Sequence, residues 1–202
     1  MVYPNFSEEK KLWKRGFDVV GLDEAGRGPL AGPVVAAAIF VTKNCRIKLK
    51  IKDSKKLSEN QRNFFYGILT GHKQVQWGIG VVSEKVIDKI NILEATKLAM
   101  VKALASLRAN PNFLMIDGNF TINVKIPQVS IIRGDQKVFS IAAASIIAKV
   151  TRDGIMRQMH KKYPQYGFHL HKGYGTKLHM ETLQKFGPCN IHRKSFYPIR
   201  SA

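Results

Sequence analysis

Residues 17–32, which read FDVVGLDEAGRGPLAG, constrain the fold of this chain more than any other segment. Their first half is apolar and rich in β-favouring residues, which predicts a buried strand. Two adjacent carboxylates, Asp23 and Glu24, end that strand, and glycines then turn the backbone tightly. Burying two carboxylates costs free energy unless a proton, a cation or a polar partner compensates. A lysine partner would also serve, so further acids must decide between a structural ion pair and a functional site.

The charge balance indicates a polyanionic partner. Lysine and arginine number 33 against 14 acids in 202 residues, which gives a formal net charge of +19. This excess favours nucleic acid over general solubility or an anionic membrane surface. No uninterrupted apolar span approaches the roughly 20 residues that a bilayer requires. Hydrophobic residues make up 45% of the chain, enough for the core of one domain.

The N-terminus and the cysteines indicate a cytoplasmic protein. The first residues, MVYPNFSEEKK, have neither the apolar core nor the cleavage site of a signal peptide. Cys45 and Cys189 do not have the spacing of a metal motif or a disulfide framework. We therefore expect free thiols in a reducing compartment, and a monomer.

Hydrophobic periodicity predicts strands and helices along the remaining chain. After the first strand we expect strands at residues 33–41, 75–82, 113–116 and 129–132, and helices at residues 7–15, 58–70, 92–108, 137–160 and 177–186. Two strands without an intervening helix, followed by strand–helix alternation, indicate an α/β domain with a mixed sheet. We expect residues 1–162 to form this domain and residues 163–202 to form a C-terminal helical segment packed on it.

Three local patterns are also informative. Ser7 and Ser58 each precede a helical pattern and are predicted N-caps. In residues 46–52, basic residues alternate with isoleucine and leucine. This alternation fits either an exposed edge strand guarded by lysines or a surface that contacts phosphates.

Acidic residues follow three of the predicted strands. Asp23 and Glu24 end the first, and Asp117 and Asp135 follow two later ones. Sites in open α/β sheets form beyond the strand ends, so these carboxylates are expected to converge. Bare anions would repel one another, whereas two divalent cations, Mg²⁺ or Mn²⁺, suit such hard oxygen ligands. Two such ions can activate water and stabilise the leaving oxygen in an in-line attack on a phosphodiester.

Each downstream acid also has a structural alternative. Asp117 precedes a glycine and fits a turn, and Asp135 precedes a helix and fits an N-cap. Asp53 is expected to be a loop or cap residue. Asp153 follows Arg152 on the long helix, where we expect a local ion pair on the helix surface.

These residues resemble the ribonuclease HII family, the bacterial type 2 ribonucleases H. The matching segments are GLDEAGRGPLAGPVVAAA at residues 21–38, DSKKLS at 53–58, IDGN at 116–119, GD at 134–135, SIAAASIIAKVTRD at 140–153, YGFHLHKGYGT at 166–176 and HRKSFYP at 192–198. DEAGRG followed by the downstream acids is specific, whereas DG or YG alone is weak. The resemblance spans nearly the whole chain.

The resemblance implies an RNase H-like fold: a five-stranded mixed sheet flanked by helices, with a C-terminal helical segment. It implies endonucleolytic hydrolysis of RNA in RNA–DNA hybrids, which leaves 5′-phosphates, and nicking 5′ to single ribonucleotides embedded in duplex DNA. The expected partners are therefore RNA–DNA hybrids and DNA duplexes that contain ribonucleotides, as in primer removal and ribonucleotide excision.

By position in the motifs, the resemblance assigns roles to individual residues. The catalytic metal ligands would be Asp23, Glu24, Asp117 and Asp135. The junction between ribonucleotide and deoxyribonucleotide would be read by Gly26, Arg27, Gly28 and Tyr174. A 2′-hydroxyl must be met by close polar groups, and backbone flanked by glycine can approach it closely.

Basic and imidazole side chains complete the set of candidates. The expected phosphate contacts are Lys55, Lys56, Lys172 and Lys177, although each also fits simple solvated charge. We expect His169, His171 and His179 to contact substrate or to pack, because no thiolate cluster accompanies them as in structural zinc sites.

Other functions stay open at this point. A non-catalytic nucleic-acid-binding protein would use the acids structurally, and metal-dependent nicking distinguishes it from a nuclease. The related type 3 enzyme usually carries a sizeable N-terminal domain, whereas 16 residues precede Phe17 here. A sliding clamp is a further possible partner, and Phe196 in the tail would suit one.

Overall fold

The computed structural model of the chain describes residues 3–45, 47, 49–51 and 54–201. The strands are β1 (Val19–Ala25), β2 (Val34–Val41), β3 (Val75–Val82), β4 (Phe113–Asp117) and β5 (Gln128–Ile131). The helices are α1 (Ser7–Lys14), α2 (Glu59–Gly71), α3 (Glu84–Ala105), α4 (Phe139–Lys162), α5 (Phe168–His171) and α6 (Lys177–Phe186). Short 3₁₀ turns lie at Ser54–Lys56, Gly134–Gln136, Pro164–Tyr166 and Ile199–Ser201.

The strands form one five-stranded sheet in the order β3-β2-β1-β4-β5. β2 is antiparallel to both β1 and β3, whereas β1, β4 and β5 run parallel to one another. The carboxyl ends of β1, β4 and β5 therefore meet at one edge of the sheet. The expected five-stranded mixed sheet flanked by helices is confirmed.

Each face of the sheet has its own apolar core. Leu22 and Ile116 face α3, where they are buried with Met100. The opposite face packs against α4, in which residues 141–148 are apolar almost throughout and all buried. Gly21 lets α4 approach β1 closely, because a Cβ there would lie 2.5 Å from the carbonyl carbon of Ser140.

The C-terminal residues pack on the loop between β1 and β2. Ala31 of that loop is buried in one cluster with Met156 of α4 and with Tyr166, Phe168 and Ile191. Backbone hydrogen bonds join the same parts of the chain, from the N–H of Leu30 to the carbonyl of Gly173 and from the N–H of Gly32 to the carbonyl of Ile191, each at 2.8 Å. The loop after β1 and the C-terminal segment therefore form one packed unit.

Several element boundaries follow the predicted pattern. β3 and α6 have the expected bounds, and Ser58 caps α2 in a capping box with Gln61. α3 begins at Glu84, earlier than expected, and is interrupted at Asn91, where φ is 64°. The carboxamide of Asn91 accepts hydrogen bonds from the N–H groups of the next turn and so caps the second half of α3. The sequence pattern had placed the start of the whole helix at this point.

Two local predictions are wrong. Ser7 does not cap α1; it lies in the first turn, and the carboxamide oxygen of Asn5 accepts a hydrogen bond from its N–H at 2.9 Å. Of the two alternatives for residues 46–52, the edge strand is wrong for the described part: residues 47 and 49–51 belong to no strand, and Ile51 is buried on the α4 side of the sheet. Arg46, Lys48, Lys52 and Asp53 lie outside the described residues. None of the helices formed by the described residues is long and apolar enough to cross a membrane.

Candidate active site

Asp23 and Asp117 lie side by side on neighbouring strands. Leu22 of β1 pairs with Ile116 of β4 in parallel register, and each aspartate is the next residue along its strand. Matched positions on neighbouring strands are about 4.8 Å apart and point to the same face. Since Leu22 and Ile116 face α3, both aspartates lie on the face covered by α4.

Glu24 points away from Asp23, because side chains alternate along a strand. The two acids lie at the carboxyl end of β1, as expected, and one further residue, Ala25, continues the strand alongside β2. β4 stops at Asp117, level with Asp23. The last two residues of β1 therefore extend past the end of β4.

Asp117 is tied to the turn that carries Asp135. Its Oδ1 accepts a hydrogen bond from the backbone N–H of Gly134 at 2.7 Å. Asp135 is buried in the turn Gly134–Gln136, which follows β5. The N-cap position of α4 is Val138, so Asp135 is not an N-cap. These contacts bring the acidic residues of β1, β4 and the β5 turn to one edge of the sheet.

The Asp23 carboxyl is in unfavourable surroundings for a bare anion. Burial, and then the negative charges of Glu24 and Asp117, raise the pKa of this carboxyl well above its usual range. Its Oδ1 accepts a hydrogen bond from the N–H of Glu24 at 2.7 Å, and the Ser145 side chain of α4 is a further hydrogen-bond partner. Ser145 also shares a hydrogen bond with Ser54 at 2.7 Å, which links the carboxyl to the DSKKLS segment.

The donor set fits a hard divalent cation. Four carboxylates suit Mg²⁺ or Mn²⁺, and the raised pKa of Asp23 shows that added positive charge would lower the free energy there. As the side chains stand, no group of three or more His, Cys, Asp or Glu in the described part of the chain is arranged to hold a metal ion. Asp23 and Asp117 instead accept hydrogen bonds from backbone N–H groups.

Gly26 and Arg27 begin the loop of residues 26–33 between β1 and β2. Gly26 is buried with a φ of 99°, and a Cβ there would collide with Arg152, so the fold itself requires glycine. Arg27 is exposed, and its guanidinium lies 3.5 Å from the carboxylate of Glu24. An exposed cation is thus held beside one of the predicted metal ligands.

Gly28 and Tyr174 face each other at the surface. Gly28 is exposed, and a Cβ there would lie 3.7 Å from the Tyr174 ring, an ordinary contact distance. Tyr174 is 44% exposed. The Nζ atom of Lys149 lies 5.9 Å from the centre of its ring. Internal packing therefore does not demand glycine at position 28.

The predicted phosphate-contacting lysines differ in their surroundings. Lys56 and Lys177 are exposed, the latter with a 92% exposed side chain. Lys172 is largely buried; it donates a hydrogen bond to the carbonyl of His169 and lies 3.9 Å from Glu59. The side chain of Lys55 lies outside what the structure describes. Lys172 is therefore engaged within the protein as it stands.

The sequence interpretation missed a polar stripe on α4. Ser145, Lys149 and Arg152 are spaced by four and three residues, which places them on one face of the helix. They contact Asp23, Tyr174 and the β1–β2 loop respectively. Polar residues at helical spacing in an otherwise apolar helix are the signal that would have found them.

Asp153 forms the expected local ion pair, with Lys149 one turn earlier on α4, but the expectation that the pair lies on the helix surface is wrong. Arg152 is 0% and Asp153 is 3% exposed. Asp153 pairs with Lys149 at 2.8 Å and with Arg62 at 4.0 Å. Arg152 donates to three backbone carbonyls, those of Ala31, Pro33 and Lys172.

Three histidines of the C-terminal segment pack on one another. The rings of His171 and His179 are stacked with centres 4.4 Å apart, and the Nε2 atoms of His179 and His192 are 3.0 Å apart. His192 Nδ1 accepts the N–H of Cys189, so its Nε2–H donates to His179, whose Nδ1–H donates to the carbonyl of Tyr174. The expectation of packing is confirmed for His171 and His179.

The fold and the site together define a class of protein. A five-stranded mixed sheet with acids gathered at the carboxyl edge of its three parallel strands is the arrangement of RNase H-like nucleases. The family model described as Ribonuclease HII matches residues 20–198 of this chain. The chain belongs to the ribonuclease HII family.

Individual relatives agree with this membership. The Ribonuclease HII of Chlamydia trachomatis serovar L2 is 53% identical over 201 residues, covering 96% of this chain and 92% of that protein. The RNase HII of Archaeoglobus fulgidus, solved as a PCNA:RNase HII complex, has a TM-score of 0.75 at 27% identity, covering 89% and 95% of the two chains. Bst-RNase HIII in complex with Mn²⁺ shares the fold at 21% identity, with a TM-score of 0.69 and coverage of 91% and 68%.

Proposed function

We propose that this chain, a ribonuclease H by family, nicks duplex DNA 5′ to single embedded ribonucleotides as well as hydrolysing RNA in RNA–DNA hybrids. The observation that supports it most is the placement of Asp23 and Asp117 at matched positions of neighbouring parallel strands, beside the turn that carries Asp135. Membership in an enzyme family argues against the alternative of a non-catalytic nucleic-acid-binding protein.

The proposed ligands of two Mg²⁺ or Mn²⁺ ions are Asp23, Glu24, Asp117 and Asp135. When bound, such ions supply an activated water on one side of the phosphate and charge stabilisation for the leaving oxygen on the other. The protein contributes the fixed positions of the carboxylates, because three of them are held by strands and Asp135 by a buried turn. Ser145 orients the Asp23 carboxyl from α4.

The proposed reading surface consists of Gly26, Arg27, Gly28 and Tyr174. Gly28 is exposed, and no contact within the protein requires glycine at this position. The missing side chain would leave room for a sugar and its 2′-hydroxyl to approach the backbone. The exposed ring of Tyr174 lies beside it and suits packing against the next sugar, where a missing hydroxyl leaves room. Arg27 would exchange its contact with Glu24 for the substrate when cations occupy the carboxylates.

The rest of the interface is proposed to be electrostatic. With a net charge of +19, the protein should lose affinity for duplexes steeply as salt increases, through counterion release. Lys56 and Lys177 are exposed and are proposed to contact phosphates. Lys55 is proposed from its motif, and Lys172 would have to leave Glu59 first. We propose that residues 163–202 act as the substrate-binding segment.

Assembly and location stay predictions: a monomer that works in the cytoplasm. A sliding clamp is a possible partner, since the Archaeoglobus relative was solved with PCNA. Phe196, the tail residue considered for such a contact, packs against the α3 core with its ring 5.0 Å from the Arg193 guanidinium. A clamp would therefore have to bind other residues.

A DNA duplex carrying one ribonucleotide tests the proposal directly. With Mg²⁺ or Mn²⁺, the wild-type protein should nick 5′ to the ribonucleotide. Asp23→Asn should abolish turnover yet preserve or tighten binding, since it removes a ligand and a negative charge. The matched control is Asp18→Asn, a partly exposed aspartate that pairs with Lys43 at 3.2 Å, and it should cleave normally. The proposal is contradicted if the wild-type protein leaves the duplex intact with both metals, or if Asp23→Asn cleaves it.

A further inference from the structure

Arg193 hydrogen-bonds to both ends of the β1–β2 loop. Its guanidinium is 0% exposed and donates to three backbone carbonyls: Gly26 at 2.6 Å, Arg27 at 2.8 Å and Gly32 at 3.0 Å. One side chain from the end of the protein thus fixes the backbone that leads into Gly28.

Arg152 holds the second half of the same loop. It is also 0% exposed, and it donates to the carbonyls of Ala31 and Pro33 and to that of Lys172, at 2.9 to 3.0 Å. Lys172 lies two residues before Tyr174. The two arginines therefore join the loop to the segment that carries the tyrosine.

Burying the two guanidinium groups costs free energy, which argues that these side chains do more than fill space. Burial, and then the charge of Arg152, lower the pKa of Arg193 to about 9, and burial lowers the pKa of Arg152 to about 10. A buried charge costs free energy that only its hydrogen bonds offset. A guanidinium, however, presents several donors in a rigid plane and can fix several carbonyls at once, which a lysine cannot.

We propose that Arg193 is a positioning residue for ribonucleotide recognition, which fixes the backbone of residues 26–28 against Tyr174, with Arg152 as its counterpart on the far side of the loop. This inference rests on the proposed function. Arg193 touches no substrate in this role; it acts through the loop. The backbone carbonyl of Tyr174 accepts a hydrogen bond from the buried side chain of His179. Both sides of the reading surface are therefore held by buried side chains.

The deciding experiment is a double-mutant cycle of Arg193→Lys with Arg27→Ala. Rates are compared on a duplex with one ribonucleotide and on a uniform RNA–DNA hybrid. Arg193→Lys alone should lower kcat/KM on the single-ribonucleotide duplex about tenfold to a hundredfold, and less on the hybrid. In the Arg27→Ala background the same change should have little further effect, since residues that act as one unit are not additive. Arg108→Lys, an exposed arginine away from the loop, is the control and should keep wild-type rates on both substrates.

Two results would overturn the inference while leaving the proposed function intact: wild-type selectivity in Arg193→Lys, or full additivity with Arg27→Ala. A wild-type protein that nicks neither substrate refutes the proposed function instead. If Arg193→Lys does not fold, amide hydrogen exchange of the wild type provides the test. The N–H groups of Leu30 and Gly32, bonded to the C-terminal segment, should exchange as slowly as the core strands, and rapid exchange there overturns the inference.

Discussion

The Oδ1 atom of Asp117 accepts a hydrogen bond from the backbone N–H of Gly134 at 2.7 Å. This contact joins the last residue of β4 to the turn after β5, and so fixes Asp135, the next residue, relative to Asp117. On the other side of β4, register places Asp23 level with Asp117. A single residue at the end of a central strand therefore organises acids that are 94 and 18 positions away in the chain.

Removing the charge of Asp23 should stabilise the metal-free protein. The raised pKa of Asp23 means that the folded state retains a proton that the unfolded state releases above about pH 3.8. Stability without metal should therefore fall as the pH rises from there through the titration of the folded carboxyl. Asp23→Asn removes this loss and should raise the metal-free Tm at pH 7 by about 2–6 °C, measured by calorimetry with chelator present. Asp18→Asn should not raise it, and an equal rise in both variants would contradict the assigned cause.

Gly28→Ala should separate cleavage from stability. A Cβ at this exposed position meets only the Tyr174 ring at 3.7 Å, so the variant should fold with a Tm within about 3 °C of wild type. If the substrate backbone approaches here, cleavage 5′ to a single ribonucleotide should fall about tenfold or more. Gly67→Ala, on the exposed face of α2 with open space around it, is the matched control and should cleave normally. Normal cleavage by Gly28→Ala would remove position 28 from the reading surface.

Glu9 should matter to stability far more than its neighbour Glu8. The buried carboxylate of Glu9 accepts a hydrogen bond from the N–H of Ser140 at 2.8 Å, in the first turn of α4, where Val138 offers no side-chain cap. Glu9→Ala should cost about 1–3 kcal/mol in urea unfolding, because a buried N–H loses its acceptor. Glu8→Ala removes only an exposed ion pair with Lys11 and should cost less than about 1 kcal/mol. Similar costs for both would show that Glu9 does not hold α4.

Because His179 and His192 are buried, the protein should lose stability in acid. Burial is the main cause that lowers the pKa of His179 and of His192 to about 4, from an ordinary value of 6.5. The unfolded state therefore takes up protons first, and stability should decline as the pH falls from about 6.5 towards 4. Histidine ring resonances followed by NMR should place both titrations near pH 4. Titration of either ring near 6.5 would contradict the buried, neutral network that supports the Tyr174 carbonyl.

The sequence predicted the elements whose signals are local. Ser58 and Gln61 specify the start of α2 through a capping box, and residues 177–186 were recognised as a helix with its observed bounds. The four acids are predicted as metal ligands because they follow apolar strand patterns and match a specific motif, and that role stays a prediction. β1 extends one residue past the two acids, because pairing with β2 outweighs the low strand propensity of acids.

Contacts between distant residues were not predictable in the same way. Nothing in the sequence around Arg152 indicates that its guanidinium is buried and donates to carbonyls of a loop 119 to 121 positions away. Glu9 fits a favourable first-turn acid of α1, and nothing in its neighbourhood indicates its bond to Ser140. Arg193 lies in a segment that matches the family motif, but nothing in its neighbourhood indicates its bonds to the β1–β2 loop. Each of these contacts depends on which surfaces meet after folding, and local periodicity carries no information about that.

We infer that Asp23, Glu24, Asp117 and Asp135 together bind divalent cations. Crystals soaked in Mn²⁺ and measured at an energy where manganese scatters anomalously provide the test. We expect anomalous peaks between these four carboxylates, and loss of at least one peak in Asp117→Asn. Peaks confined to other parts of the protein, or none at Mn²⁺ concentrations that support cleavage, would contradict it.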